Sequence, residues 1–135
     1  MASIDGLRAA ALVGTPYRAQ GREPGSGLDC VGLVLVACGF GPGEVRRDYR
    51  PRGDHGAELR TELLRRFRKV SGKERRVGDL CLLAVAPDQL HLAIFTARGF
   101  VHADMRLRKV VETPGEPDWP VLGVYRRRIQ RGMES

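Results

Sequence analysis

The 135-residue chain has few cysteines, few aromatic residues and no long apolar run. Its 3 cysteines are an odd number and form no CxxC pair, so neither a disulfide framework nor a structural zinc site is expected. No stretch approaches the roughly 20 apolar residues that span a bilayer, and membrane insertion is not expected. The first residues also lack the basic-then-apolar layout of a signal peptide, which predicts synthesis in the cytoplasm and export by another route.

Acidic residues are outnumbered, with 16 Asp and Glu against 23 Lys and Arg, giving a formal net charge of +7. A basic surface attracts nucleic acid, anionic membrane or an acidic polymer such as bacterial cell wall. Aromatic residues are only 6% of the chain, which disfavours stacking on single-stranded nucleic acid. We therefore expect solvated faces and assembly contacts, with no specific nucleic-acid partner. A basic nucleic-acid module stays an alternative, and it predicts salt-sensitive binding to any duplex.

Apolar periodicity predicts helices in the first half of the chain and strands in the second. The predicted helices cover residues 4–13, 31–37 and 57–70, the last one capped by Asp54. The predicted strands cover residues 80–86, 90–96, 100–104, 107–112 and 121–127. Helices first, followed by a meander of strands, predict an α+β fold with a mostly antiparallel sheet, in one domain that spans residues 1–135.

Cys30 stands at the start of the short apolar helix predicted for residues 31–37. Backbone N–H groups point out of a helix N-terminus, where the helix dipole is positive. Both effects favour thiolate over thiol, so a lowered pKa is expected for Cys30. Cys38 and Cys81 lie within apolar runs and are predicted to be buried core residues.

His91 and His102 lie on two consecutive predicted strands. If their hairpin closes through a two-residue turn at residues 97–98, Ala93 lies opposite His102, and His91 lies diagonal to it on the same face. Diagonal neighbours are about 7–8 Å apart at Cα, so the His102 ring would reach His91 and fix its tautomer. A register slip of one residue would place the rings on opposite faces. A cysteine at a helix start, together with histidines placed in this way, supplies the side chains that a thiol hydrolase requires. A metal site would need a fourth ligand, and no metal or cofactor is predicted.

Five segments follow one another along the chain: Gly14-Thr15-Pro16-Tyr17, Asp29-Cys30-Val31-Gly32-Leu33-Val34, Gly78-Asp79-Leu80, His91-Leu92-Ala93-Ile94-Phe95 and Phe100-Val101-His102-Ala103. In this order they resemble the NlpC/P60 family of cell-wall cysteine peptidases. The likeness runs from about residue 7 to residue 127, and it is strongest to the compact, single-domain version found in tailed phages and gene transfer agents.

The resemblance implies a papain-like core in which a helix that carries the nucleophile packs against a sheet that carries the histidines. Cys30 matches the nucleophile, His91 the base and His102 the residue that orients the base. Tyr17 matches the tyrosine whose hydroxyl lies near the oxyanion, and Asp29 either binds the free amine of a stem peptide or only caps the helix. The implied reaction is hydrolysis of the amide between γ-D-glutamate and a diamino acid in peptidoglycan.

The likeness to the phage version implies a protein that is carried on a phage-like particle and acts in the periplasm or cell wall. One of the arginine-rich segments Arg60–Lys69 and Arg126–Arg128 is then expected to dock on a tail-tip or baseplate protein. The alternative is that these charges only hold the enzyme to anionic cell wall. Val31 stands where the family often has a serine, which leaves the fine specificity open. Two further alternatives stay open: an acyltransferase or amidase on the same core, and a structural tail component with an inactive thiol site.

Overall fold

The computed structural model describes residues 4–41, 56–87 and 89–128. Within these residues the helices come first and most strands follow, which confirms the predicted α+β fold. In chain order the elements are α1 (Ile4–Ala11), β1 (Arg22–Glu23), β2 (Gly27–Leu28), α2 (Cys30–Ala37), α3 (Gly56–Arg66), β3 (Phe67–Val70), a 3-10 turn (Gly72–Glu74), β4 (Leu80–Ala86), β5 (Gln89–Phe95), β6 (Gly99–Asp104), β7 (Lys109–Pro114) and β8 (Val121–Arg127).

Six of the strands form one sheet in the order β3-β8-β4-β5-β6-β7, and every neighbouring pair is antiparallel. Strands β4 to β7 form a meander and are the last four strands of this order. The last strand, β8, returns along the outer side of β4, and β3 pairs with it to form the edge. Strand β4 reads as an almost continuous apolar run because both of its faces are covered.

Alternation of side chains along β5 divides the core into two layers. Leu92 and Ile94 face the helices, and α2 packs against β5 and β6 on that side. Ala93 and Phe95 face the other layer. Helix α2 is apolar all round because it lies between the sheet and α1. The burial predicted for the two remaining cysteines is confirmed, and both are at most 2% exposed.

The prediction of a helix through residue 70 is wrong at its C-terminal end. Helix α3 ends at Arg66, and the next four residues form β3, which pairs with β8 from Phe67 to Val70. Phe67 and Val70 are buried, and their spacing of three residues suits a helical face as well as it suits this strand. Tertiary pairing with β8 decides the outcome. The predicted N-cap Asp54 lies outside the described residues.

The arginines at the end of β8 are used within the fold. Arg126 makes two hydrogen bonds to the Asp79 carboxylate, at 2.9 and 2.8 Å, and Arg127 makes two to Asp5, at 2.9 and 3.0 Å. Arg128 donates to a backbone carbonyl of α3. Asp79 and Asp5 are both buried, so these pairs tie the last strand to the start of β4 and to α1. Residues 126–128 are therefore not the free docking surface that was expected.

Within the described ranges, the helices are too short or too polar to cross a bilayer.

Candidate active site

The start of α2 is built around Asp29 and Cys30. Asp29 is the N-cap residue, and its carboxylate accepts hydrogen bonds from the backbone N–H groups of Gly32 at 2.8 Å and Gln20 at 2.9 Å. The Asp29 side chain is buried, so the capping role considered from the sequence is present in the structure. Gly32 is needed for close packing, because a Cβ there would collide with the carbonyl oxygen of Gly21. Cys30 is thereby fixed in the first turn, at the edge of the core.

A cavity opens where β5 and β6 separate. The two strands are paired only at Ile94–Val101 and at Phe95–Phe100, and they diverge toward the start of β5. The cavity has a volume of about 610 Å³. It is lined by residues from the start of α2, the segment before it, the diverging strand ends and the loop before β8: Tyr17, Ala19, Gln20, Asp29, Cys30, Val85, Gln89, Leu90, His91, His102, Ala103, Asp104, Met105, Arg106 and Trp119. All five residues singled out from the sequence line this one cavity.

The divergence of the strands also releases a backbone donor. The Phe95 N–H bonds to Asp79 on the β4 side, and the Thr96 N–H bonds to Gly99 on the β6 side. By alternation, the Leu92 N–H also points toward β6, where the ladder has already ended. The Leu92 N–H instead donates a hydrogen bond to the Cys30 sulfur, and this bond favours the thiolate form.

The two histidines form a hydrogen-bonded pair. His91 Nε2 and His102 Nδ1 are 2.9 Å apart, and the rings are nearly perpendicular, at 87°. The pairing of Ile94 with Val101 is the register that places Ala93 opposite His102, so the predicted register is confirmed. Because His91 Nε2 is engaged with His102, Nδ1 is the ring nitrogen that is left to act as a base.

Two aromatic side chains flank this pair, and neither was chosen from the sequence as a site residue. Trp119 meets both rings edge to face, with centroid distances of 6.1 Å to His91 and 5.7 Å to His102. Phe100 lies 5.2 Å from His102. The only signal in the sequence was that Trp119 is the single tryptophan and lies in a Pro-rich loop.

Burial sets the protonation of the histidines. It lowers the pKa of His91 to about 4, with a smaller contribution in the same direction from His102. Burial also lowers the pKa of His102, which the nearby Asp104 carboxylate partly opposes. Both imidazoles are therefore neutral at pH 7, and His91 is ready to accept a proton.

The prediction of a lowered pKa for Cys30 is wrong for the resting site. Burial, followed by the negative charge of Asp29, raises the pKa of the Cys30 thiol to about 12. The N–H groups of the first helical turn do act in the expected direction, together with that of Leu92, but burial outweighs them. The resting site therefore has a neutral thiol and a neutral imidazole on the wall of one cavity. Of the two resting states that a cysteine–histidine pair can adopt, the ion pair is the less favoured here.

Tyr17 contributes a hydroxyl that stays protonated. Burial, followed by the charges of Cys30 and Asp29, raises the pKa of Tyr17 to about 12. Its backbone is held on two sides, by a hydrogen bond from its N–H to the Arg108 carbonyl at 2.9 Å and by a bridge to Leu28. A fixed, protonated phenol at the cavity wall is a hydrogen-bond donor.

The described residues contain no cluster of three or more histidine, cysteine or carboxylate side chains that is suited to a metal ion.

A cysteine at a helix start, packed against an antiparallel sheet that carries a histidine pair, is the layout of a papain-like α+β fold. Solved structures with the same layout are NlpC/P60 domains, so the chain has the NlpC/P60 fold. No family model matches the sequence, and no curated protein matches it significantly. At the identities found, the likeness defines the fold.

Three solved structures illustrate the match. NlpC2 from Trichomonas vaginalis has a TM-score of 0.67 and 20% identity, over 96% of this chain and 49% of that one. The peptidoglycan hydrolase RipB from Mycobacterium tuberculosis has a TM-score of 0.60 and 23% identity, over 94% of this chain and 64% of that one. The NlpC/P60 domain of the peptidoglycan hydrolase SagA has a TM-score of 0.55 and 23% identity, over 82% of this chain and 86% of that one. The chain thus spans about half the length of the Trichomonas protein.

Proposed function

We propose that this protein is a cysteine peptidase that hydrolyses peptide amides in bacterial cell wall. The observation that carries the proposal is the convergence of Cys30, the His91–His102 pair and Tyr17 on one cavity. A thiol nucleophile, a base, an orienting group and an oxyanion donor are the parts that amide hydrolysis by cysteine needs. Two proteins of the same fold, SagA and RipB, are peptidoglycan hydrolases, which supports cell wall as the substrate.

The acylation step starts from the neutral pair. His91 Nδ1 takes the proton of the Cys30 thiol as the sulfur attacks the amide carbonyl carbon, so no free thiolate needs to accumulate. His91 then holds the positive charge, and His102 Nδ1 stabilises it by accepting the hydrogen bond from His91 Nε2. The charge that develops on the carbonyl oxygen is met by the Cys30 N–H and the Tyr17 hydroxyl.

Collapse of the tetrahedral intermediate breaks the carbon–nitrogen bond. His91 Nδ1 gives its proton to the leaving amine, and the acyl group remains on Cys30 as a thioester. Water then attacks the thioester while His91 takes a proton from it. Breaking the carbon–sulfur bond releases the acid, and the proton returns to the Cys30 sulfur. His91 therefore acts twice as a base and twice as an acid.

The cavity has features that suit a short, charged peptide. The buried Asp29 carboxylate lies at one part of the wall, and the exposed Arg106 lies at another. A stem peptide has free carboxylates and, once trimmed, a free amine, so both charges have a counterpart. The bond we propose is the one between γ-D-glutamate and the diamino acid, with Asp29 facing the amine of the trimmed stem.

The setting we propose is a phage tail or gene transfer agent whose particle delivers the enzyme to the periplasm, where it opens the cell wall locally. Among the described side chains of residues 61–69, Arg65 and the two edge-strand residues Arg68 and Lys69 are exposed, and they are the basic surface we propose for docking on a tail-tip or baseplate protein. Charge reversal at Arg65 and Arg68 should remove the protein from purified particles and leave turnover of soluble muropeptides unchanged. Co-purification at the wild-type level would show that this surface is not the docking site.

The reaction is tested by mass analysis of purified muropeptides after incubation with the wild type, Cys30→Ala and Cys81→Ala. The expected products gain one water across the γ-glutamyl bond, with wild type and Cys81→Ala active and Cys30→Ala inactive. Products that combine two stem peptides without gain of water would indicate an acyltransferase. No product with any variant would leave a structural tail component as the better account.

A further inference from the structure

The loop that joins β7 to β8 carries the tryptophan that touches the histidine pair. Its backbone is tied at both ends, by the Gly115 N–H to the Arg98 carbonyl and by the Ala84 N–H to the Pro120 carbonyl, each at 3.0 Å. Gly115 has a φ of 81°, which lets the chain turn sharply out of β7. The loop is therefore a shaped connection, and its position relative to β4 and β6 is fixed.

A side-chain contact holds the middle of the same loop. The Arg75 guanidinium makes two contacts of 2.6 Å with the Glu116 carboxylate and lies 4.1 Å above the Phe95 ring. Phe95 belongs to the core layer against which Trp119 packs. A bidentate ion pair that is also stacked on an aromatic ring has a defined geometry, which a single exposed ion pair lacks.

We propose that Trp119 is a positioning residue that holds His91 and His102 in their hydrogen-bonded pair and excludes water from it, and that the Arg75–Glu116 pair sets the position of Trp119. Only the kinetic part of this proposal depends on the proposed function.

The histidine rings need such contacts because each ring can rotate about its χ2 angle. Rotation about χ2 is soft, so the strand backbone alone does not fix the direction of His91 Nε2. Phe100 and Trp119 both contact the His102 ring, and Trp119 also meets the His91 ring edge to face. A hydrogen bond kept from water is stronger and its members stay neutral, which is the state that acylation requires.

A Trp119 variant keeps the other titratable and charged side chains that line the cavity around His91. They are His102 and Asp104 on β6, Arg106 on the loop after β6, Cys30 and Asp29 at the start of α2, and Tyr17 on the segment before β1. Hydration of the pair is therefore the main change expected in a Trp119 variant. Hydration would raise the pKa of His91 from about 4 back toward its ordinary value.

The kinetic test compares Trp119→Ala, Trp119→Phe and Glu116→Gln on a soluble muropeptide, with the exposed Leu7→Ala as a control. For Trp119→Ala we expect kcat to fall about tenfold or more, and the acidic limb of kcat/KM to move to higher pH by one unit or more. Trp119→Phe should restore most of kcat, and Glu116→Gln should show a smaller change in the same direction. A Trp119→Ala variant that raises only KM, with kcat and the pH limb unmoved, would overturn the proposal.

A second test needs no substrate. Trp119 is the only tryptophan in the chain, so its fluorescence reports on this site alone. An imidazolium ion quenches a neighbouring indole, so emission should fall as the pH drops toward about 4 and His91 protonates, before any loss of circular dichroism. The quench should disappear in the double variant His91→Asn, His102→Asn. Emission that stays flat down to the pH of acid unfolding would overturn the contact, whatever the protein hydrolyses.

Discussion

The two ends of the β5–β6 hairpin differ in structure: the strands are paired at one end and separate at the other. At the turn end, Ile94 pairs with Val101 and Phe95 with Phe100, and all four side chains are buried. At the other end the ladder has stopped and the histidines face a cavity. We call the paired turn end the closed end and the unpaired end the open end. Pairing at the closed end fixes the register of the open end, where a slip of one residue would put the two histidine rings on opposite faces. The proposed chemistry depends on this ladder ending at the Ile94–Val101 pair, before it reaches the histidines.

The largest effect should come from the nucleophile at the open end. Cys30→Ala should reduce turnover of muropeptides by at least about 10⁴-fold, because no other group replaces the thiol. The fold should survive, since a small half-buried side chain is replaced by a smaller one. Cys81→Ala is the matched control. It should keep kcat but lower the free energy of unfolding, because Cys81 is buried in the core layer that contains Ala93 and Phe95. Substantial turnover by Cys30→Ala in a chelator-treated sample would contradict the thiol mechanism.

The histidines should separate by role. His91→Ala removes the base and should lower kcat by about 10³–10⁴-fold, while His102→Gln should cost about 10–10²-fold, because an amide oxygen can still accept the hydrogen bond from His91. Single-turnover rates on one muropeptide measure both. Equal losses in the two variants would mean that His102 takes part in proton transfer and does not only orient His91.

A change at the closed end should affect stability and spare the chemistry. Ile94→Ala removes a fully buried side chain and should lower the free energy of unfolding by about 2–5 kcal/mol. Its kcat, measured per folded molecule, should stay within about twofold of the wild type if the register holds. Urea unfolding and active-site titration give the two quantities. A collapse of kcat at unchanged stability would show that the two ends are not separable.

Acid should weaken the open end in a defined pH range. The pKa of His91 is lowered from 6.5 to about 4 in the folded protein, so the unfolded chain binds more protons between these values. The contribution to stability is therefore complete above about pH 6.5 and is lost as the pH falls toward 4, by on the order of 3 kcal/mol. Urea unfolding of the wild type and His91→Asn at pH 7.5 and 4.5 measures it, and the variant should lose less. An identical loss in both would place the acid sensitivity outside His91.

What the sequence reveals about this hairpin follows from distance along the chain. The turn at residues 97–98 fixes the register of its two strands locally, so the juxtaposition of His91 and His102 was predictable. The helix start at Cys30 was predictable for the same reason, since the capping carboxylate of Asp29 is its neighbour. Local rules were enough for the helix start at Cys30 and for the strands that carry the two histidines.

What the sequence conceals depends on contacts between distant residues or on burial. Trp119 reaches His102 from 17 residues away, through a loop whose path is held by Arg75, 41 residues from Glu116. The internal use of Arg126 needs Asp79, 47 residues away, so its charge looked free. The pKa of Cys30 was predicted in the wrong direction because the helix N-terminus is visible in the sequence, while the burial that outweighs it is not.

The central claim is that Cys30, at the open end of the hairpin, carries the acyl group of a cleaved stem peptide. The most direct measurement is mass mapping of the protein after a muropeptide reaction is quenched with acid, which preserves thioesters. We expect an adduct with the mass of the stem up to its glutamate residue, less one water, on the peptide that contains Cys30. In the histidine variants, acylation is driven with an activated ester. The adduct should then be more abundant when His91 is replaced by Asn, whose amide cannot take a proton from water, than when His102 is replaced. Cleavage with no adduct at Cys30, or an adduct on Cys38 or Cys81 alone, would contradict the account.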